Sequence, residues 1–302
     1  MKKITFLLAI ILSLIFANEE IIIYKSKVNI TPQKIEEIFI KEGYSVQTNR
    51  DMNGPYKKQF GKSEFDIYNL MTVYYPKITK ELVLKDADSG IFAPFSIVIW
   101  KKKENKYIHM GVLSAKAKAK ILGFDFDDKL LAELEKKNIE TIKKALPNAK
   151  RVNLSYKPKP IKEKLKTKYV FEVADDEAMD TKDELEMMIE DGLKPIGFVM
   201  ANFNDYNYDL KEAGIKDFIF YDTYSLCKLK VIYTVSKIRP EAGVFAPCTM
   251  AIYQKRGTNK MVIVFPNIYN WISTLNINDE NAIKELKKAQ KDMINVIENS
   301  LP

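Results

Sequence analysis

One stretch of this chain occurs twice. Ser89-Gly90-Ile91-Phe92-Ala93-Pro94-Phe95-Ser96-Ile97-Val98-Ile99-Trp100 aligns without a gap on Ala242-Gly243-Val244-Phe245-Ala246-Pro247-Cys248-Thr249-Met250-Ala251-Ile252-Tyr253, at an offset of 153 residues. In the same register Gly61 meets Gly214, Phe65 meets Phe218 and Tyr68 meets Tyr221. Chance can supply a single Gly-x-Phe-Ala-Pro pair, but not readily the upstream matches with it. A chain of 302 residues with this internal repeat is expected to fold as two copies of one domain.

The flanks follow one pattern in both halves. Ile35, Ile38 and Phe39 recur at helical spacing before Gly43, and Leu185, Met188 and Ile189 do so before Gly192. Each set predicts an amphipathic helix ended by a glycine in a left-handed cap, with Pro32 tolerated in the first turn of the earlier one. A short β-rich run precedes each helix, at Ile21–Tyr24 and Tyr169–Val173. After each Gly-x-Phe-Ala-Pro come an apolar strand (Ser96–Trp100, Thr249–Tyr253), a polar turn and a second strand (Tyr107–Val112, Met261–Phe265). A long helix closes each half. In the second, Asp279 is the expected N-cap, and Ile283, Leu286, Met293, Ile294 and Ile297 form the buried stripe. The order per copy is strand, helix, strands, middle helix, two strands, helix, which is an α+β domain with helices on one face of an antiparallel sheet.

Charge is concentrated between the copies. Lys150–Lys168 holds eight basic residues and one acid, Glu163, in a chain whose formal net charge is +8. The excess therefore belongs to one segment around Lys157-Pro158-Lys159-Pro160, not to a basic face of a folded domain, which argues against nucleic acid as a partner. The segment is expected to be a solvated linker, with docking to an anionic lipid or glycan as the functional alternative. At the N-terminus, Met1-Lys2-Lys3, the apolar run Ile4–Phe16 and Ala17 have the layout of a cleavable export signal. The run is shorter than the ~20 residues of a spanning helix. The expected organisation is a signal peptide over 1–17, a first copy over 18–149, a linker over 150–168 and a second copy over 169–302. The expected location is periplasmic or secreted, with no stable membrane span once the signal is removed.

Chemistry-bearing patterns are few. His109 is the sole histidine and lies in a strand, so it reads as structural, and multi-histidine metal sites are excluded. Asp125, Asp127 and Asp128 lack the other ligands of a calcium loop and stand where a helix begins, where they serve as caps. Acids between Asp175 and Asp191 read as a solvated helix face. No phosphate loop or dinucleotide fingerprint occurs. The repeated turns, Gly90, Phe92 and Pro94 with Gly243, Phe245 and Pro247, either seat an aromatic in the core or form the lip of a ligand pocket. Cys227 and Cys248 are the only cysteines. Two buried thiols, a disulfide and a reactive pair all remain open for them, although no Cys-x-x-Cys spacing is present.

Each half resembles the domain-of-unknown-function 302 family. Its hallmark, an acidic-x-Gly segment followed by a Leu-Pro-Cys-like entry into a strand, is similar to Glu241-Ala242-Gly243-Val244-Phe245-Ala246-Pro247-Cys248. Asp88-Ser89-Gly90-Ile91-Phe92-Ala93-Pro94-Phe95 is similar too, with Phe95 in the cysteine position. A Cys-Asn-Pro frequent in the family is reduced to Pro76 in one half and to Cys227 in the other. The resemblance implies two tandem curved antiparallel sheets packed against helices, in the TATA-binding-protein-like class. It implies no activity, cofactor or catalytic residue. In the layout it implies, Cys227 opens the middle helix and Cys248 the strand after it, so a Cys227–Cys248 disulfide is expected in exported protein. The expected function is a non-catalytic binding or accessory module, with the copies packed as an intramolecular pseudo-dimer. Its partner would be a small molecule or a periplasmic protein. A thiol-based redox or metal-handling role for Cys227 and Cys248 is the alternative.

Overall fold

The computed structural model describes residues 18–302, so the export signal read at Met1–Ala17 lies outside the described residues. The first copy runs β1 (Ile21–Ser26), α1 (Pro32–Lys41), β2 (Ser45–Asp51), α2 (Asn53–Phe60), β3 (Phe65–Tyr74), α3 (Pro76–Lys85), a 3₁₀ turn (Ala87–Phe92), β4 (Phe95–Lys102), β5 (Ile108–Leu113), α4 (Ala115–Leu122) and α5 (Lys129–Ala145). After the short β6 (Lys150–Arg151), the second copy repeats the order. It has β7 (Lys166–Glu172), α6 (Ala178–Leu193), β8 (Phe198–Asp205), α7 (Tyr206–Glu212), β9 (Phe218–Lys228), α8 (Leu229–Ile238), a 3₁₀ turn (Pro240–Phe245), β10 (Cys248–Lys255), β11 (Lys260–Pro266), α9 (Tyr269–Thr274) and α10 (Glu280–Ser300). The sheets are ordered β2-β3-β4-β5-β1-β6 and β8-β9-β10-β11-β7, antiparallel throughout. This is the α+β architecture expected twice over; the short helices α2, α4, α7 and α9 are additions to it.

Local chemistry sets the helix limits. The Thr31 hydroxyl accepts from Lys34 N at 3.2 Å with Pro32 in the first turn, and Gly43 follows the helix at φ +90°. Asp128 caps α5 by accepting from Leu131 N at 3.0 Å, and Asp279 caps α10 by accepting from Ala282 N at 2.8 Å. Gly192 is not the stop read from the sequence. Helix α6 continues through it to Leu193, and a Cβ there would stand 2.6 Å from Val296 Cγ1 on α10. That glycine serves a close helix–helix approach, and Gly197, at φ +82°, turns the chain instead.

Each sheet is covered on both faces. In β9, Asp222 and Tyr224 point to α6, where they meet Lys182 and Glu186, whereas Tyr221 and Thr223 point to the other copy. The two copies meet through reciprocal bonds. Tyr68 OH donates to Pro240 O, and Tyr221 OH, 153 residues on, donates to Ala87 O, 153 residues back from Pro240. Ser96 Oγ donates to Pro247 O at 3.2 Å, and its counterpart Thr249 Oγ1 donates to Pro94 O at 2.7 Å. Such exchange is the signature of an isologous contact, here within one chain. Each 3₁₀ turn lies on the central strands of the opposite sheet. Two-sided burial explains why β4 and β10 read as continuous apolar runs instead of alternating.

The basic segment is tied down rather than freely solvated. Lys150 and Arg151 pair with Lys25 and Tyr24 of β1. Lys159 N donates to Ser273 O at 3.0 Å, and Ser273 Oγ donates back to Lys159 O at 2.6 Å. Strand β7 begins at Lys166, so Lys166–Lys168 belong to the sheet and not to the spacer. Their ammonium groups reach the first copy, where Lys166 and Lys168 bind Asp88 at 2.8 and 2.7 Å. Asp88 is buried, and the two lysines hold its carboxyl below the usual range against the opposing effect of burial. Its counterpart Glu241 accepts a hydrogen bond from Tyr156 OH. The acidic residue of one repeated turn thus holds the first strand of the second copy, and that of the other holds the spacer at Tyr156.

Candidate functional site: the groove between the copies

The repeated turns lie at the centre of the molecule. Gly90, Phe92, Pro94, Gly243, Phe245 and Pro247 are all buried. Gly90 and Gly243 are required for space, since a Cβ on Gly90 would fall 2.0 Å from Tyr221 Oη and one on Gly243 2.5 Å from Val98 Cγ2. Phe92, Pro94, Phe245 and Pro247 do line one cavity between the copies, but its volume is about 30 Å³, room for little more than a water molecule. Their observed work is to join the copies.

A larger space opens beside Pro247. Strands β2 and β8, the equivalent edges of the two sheets, run next to one another, and Asn202 Nδ2 donates to Gln47 Oε1 across them at 3.3 Å. Behind this contact lies a groove of about 400 Å³. The first copy contributes Thr48, Arg50, Gln59 and Leu70 to it, and the second contributes Val199, Ala201, Cys227 and Pro247. The lining is predominantly apolar, no acidic residue belongs to it, and Arg50 is its one cation. This is the size and character of a small-molecule site. Of the residues singled out in the sequence, Pro247 and Cys227 reach it. Arg50, Gln59 and Thr48 carried no motif. The one available signal was that Arg50 is among four arginines in a chain that otherwise uses lysine.

The cysteines do not form the expected disulfide. The ladder pairs Cys248 with Leu226, not with Cys227, so by the two-residue period of a strand the two side chains leave opposite faces of the sheet. Both are free. Cys227 is the penultimate residue of β9 and faces the groove, whereas Cys248 donates to Phe245 O at 3.3 Å on the helix side. Burial pushes both thiols up to about 12, with Arg50 opposing at Cys227. They are protonated at neutral pH, whereas nucleophilic and metal-binding cysteines are thiolates. Among the described residues, no three of His, Cys, Asp and Glu stand close enough to share a metal ion. His109 stacks on Trp100 with ring centroids 4.9 Å apart, and burial, aided by Lys25, pushes its imidazole down to about 4. The ring is neutral and packed.

A family model described as a domain of unknown function, DUF302, matches residues 23–146 and again residues 177–300. The chain belongs to the DUF302 family. Its two DUF302 copies account for most of the sequence, and the groove lies where they meet. Among solved structures, the crystal structure of an uncharacterized conserved DUF302 protein from Bacillus stearothermophilus aligns at 16% identity, over 46% of this chain and 100% of its own, with a TM-score of 0.38. No curated protein matches the chain. Among the described residues of this tandem DUF302 protein, no helix is long and apolar enough to cross a membrane.

Proposed function

We propose that this tandem DUF302 protein is an exported, non-catalytic binding module. Its ligand is a mostly apolar molecule with one carboxylate, held in the groove between the copies. The observation that carries this reading is the groove itself: about 400 Å³, walled by apolar side chains of both copies, with the Arg50 guanidinium as its only charge. A guanidinium offers two parallel donors to a carboxylate, and an apolar wall around that pair strengthens it. Cys227 contributes a buried, protonated thiol to the lining, a small apolar surface rather than a reactive group.

Decanoate and decanol distinguish the parts of this reading when each is titrated by displacement of a fluorescent apolar probe. Arg50→Gln is expected to weaken decanoate binding by roughly tenfold to a hundredfold, the range for a charge-assisted hydrogen-bonded pair. Decanol binding should be unchanged. Failure of the wild-type protein to bind decanoate would remove the proposal, and equal losses for both ligands would remove the role of Arg50.

Export belongs to the same reading and rests on the N-terminal sequence. Asn18, the residue that cleavage after Ala17 would leave first, is part of the fold, and its amide donates to Thr274 O at 2.7 Å. Intact-mass measurement of protein recovered outside the cytoplasm is expected to give a chain beginning at Asn18. Retention of Met1 would sink this part.

A further inference from the structure

On the first copy alone, a second cleft of about 490 Å³ has a different chemistry. Lys25, Lys27 and Lys150 line it together with Ser26, Tyr107 and Asn148, and no acidic residue does. We propose that this cleft binds a small molecule carrying a multivalent oxyanion, a phosphate or sulfate ester, through Lys25, Lys27 and Lys150.

Two independent features support the assignment. The first is backbone register. Lys25 lies directly opposite Lys150 of β6 and, on its other side, directly opposite His109 of β5. Like charges opposed across an antiparallel pair destabilise it, so the Lys25–Lys150 pairing works against folding unless a counter-charge sits between them. The second is that the cations are gathered rather than splayed. The Lys25 and Lys27 ammonium groups both stand over the Tyr107 ring, 4.8 and 5.5 Å from its centroid. The cleft wall is fixed as well, because the buried Ser26 Oγ donates to Pro147 O at 2.6 Å and Asn148 turns the chain at φ 58°.

The equivalent place in the second copy lacks these cations among the described residues. Val170 occupies the place of Lys25 and pairs with Val262, the counterpart of His109, and β7 is the outer strand with no partner like β6. The cleft therefore arises where the inter-copy segment folds back on β1. An ammonium is a point charge without the fork of a guanidinium, so three converging lysines suit a multiply charged oxyanion better than one carboxylate.

Calorimetric titration of the purified protein with pyrophosphate and with sulfate, at low ionic strength, tests the proposal. Saturable binding is expected, weakening steeply with added sodium chloride. The double variant Lys25→Gln/Lys150→Gln should lose at least tenfold in affinity. Lys162→Gln/Lys164→Gln, which removes equal charge from the exposed part of the same segment, should bind as the wild type does. Tighter pyrophosphate binding assigns the site to a phosphate ester, and tighter sulfate binding to a sulfate ester. Absence of saturable binding, or equal losses in the two double variants, overturns the proposal. Should Lys25→Gln/Lys150→Gln fail to fold, Lys27→Gln alone, outside the β1–β6 pairing, carries the same test.

Discussion

Replacement of Gly90 by alanine is expected to lower the stability of the folded protein by about 3 kcal/mol, the upper part of the usual range for an overpacked core. The new Cβ would lie 2.0 Å from Tyr221 Oη and 2.6 Å from two ring carbons. Tyr221 has nowhere to go. Its ring stacks on Tyr253 at 5.1 Å, meets Phe218 and Tyr206 edge-on at 5.0 and 5.7 Å, and is anchored by its hydroxyl to Ala87 O. Gly243→Ala meets the central-strand side chains Val98 and Leu70 at 2.5 and 2.7 Å and should cost a similar amount. Gly54→Ala is the control, since nothing lies within 4 Å of its Cβ and alanine favours the helix. Urea unfolding measures all three. For a protein of this size the two motif variants should melt roughly 5 °C lower. A Gly90→Ala protein within about 0.5 kcal/mol of wild type would mean that the copies do not pack through these turns.

Lys118→Met is expected to stabilise the protein at neutral pH. Lys118 is 1% exposed, its ammonium donates to Leu113 O, and it stands over Phe95 at 4.9 Å and Phe92 at 5.9 Å. Burial pushes it down to about 7, with Glu135 opposing. In the unfolded chain its pKa is ~10.4. Between these values the unfolded chain holds a proton that the folded chain lacks, so stability rises as pH is raised from 7 towards 10. The cost of the buried amine is largest below pH 7, on the order of 4 kcal/mol. Methionine removes that cost but forfeits the bond to Leu113 O, for a net gain of about 2 kcal/mol at pH 7. The second copy already holds an apolar solution, as Trp271 stands 153 residues on and stacks on Phe245, the counterpart of Phe92. Unfolding free energies of both proteins at pH 6.5 and 9.5 decide the matter. The expected signature is a stability gap that narrows as pH rises. A constant gap, or a variant less stable at both pH values, would refute the burial argument.

Much of the fold was legible because its signals are local. Helix α10 could be read from Asp279 and the stripe through Leu286, Met293 and Ile297, since a cap and a 3.6-residue period act within a few turns. Asp128 was legible as a cap for the same reason. Gly192 misled because a glycine near the end of a helical pattern can serve either a left-handed turn or a close approach. Val296, more than 100 residues away, decides between these. Cys227 and Cys248 misled because nearness in the chain says nothing about which face of a sheet a side chain leaves. One residue of register separates Leu226, the partner of Cys248, from Cys227, and that step reverses the face.

The sequence by itself determined that there are two copies, that each is an α+β domain, and that Gly90–Pro94 and Gly243–Pro247 are its sharpest feature. Repeats, helical periods and caps are properties of contiguous residues and survive without a structure. The tertiary structure alone decided what those turns do, because each touches the sheet of the other copy and no local pattern encodes that distance. It alone brought Arg50, Gln59 and Cys227 to one groove. It also set Lys25 opposite Lys150 across a strand pair formed by residues 125 positions apart. A site made where two copies meet has no contiguous sequence of its own, so its residues become recognisable only once the sheets are packed.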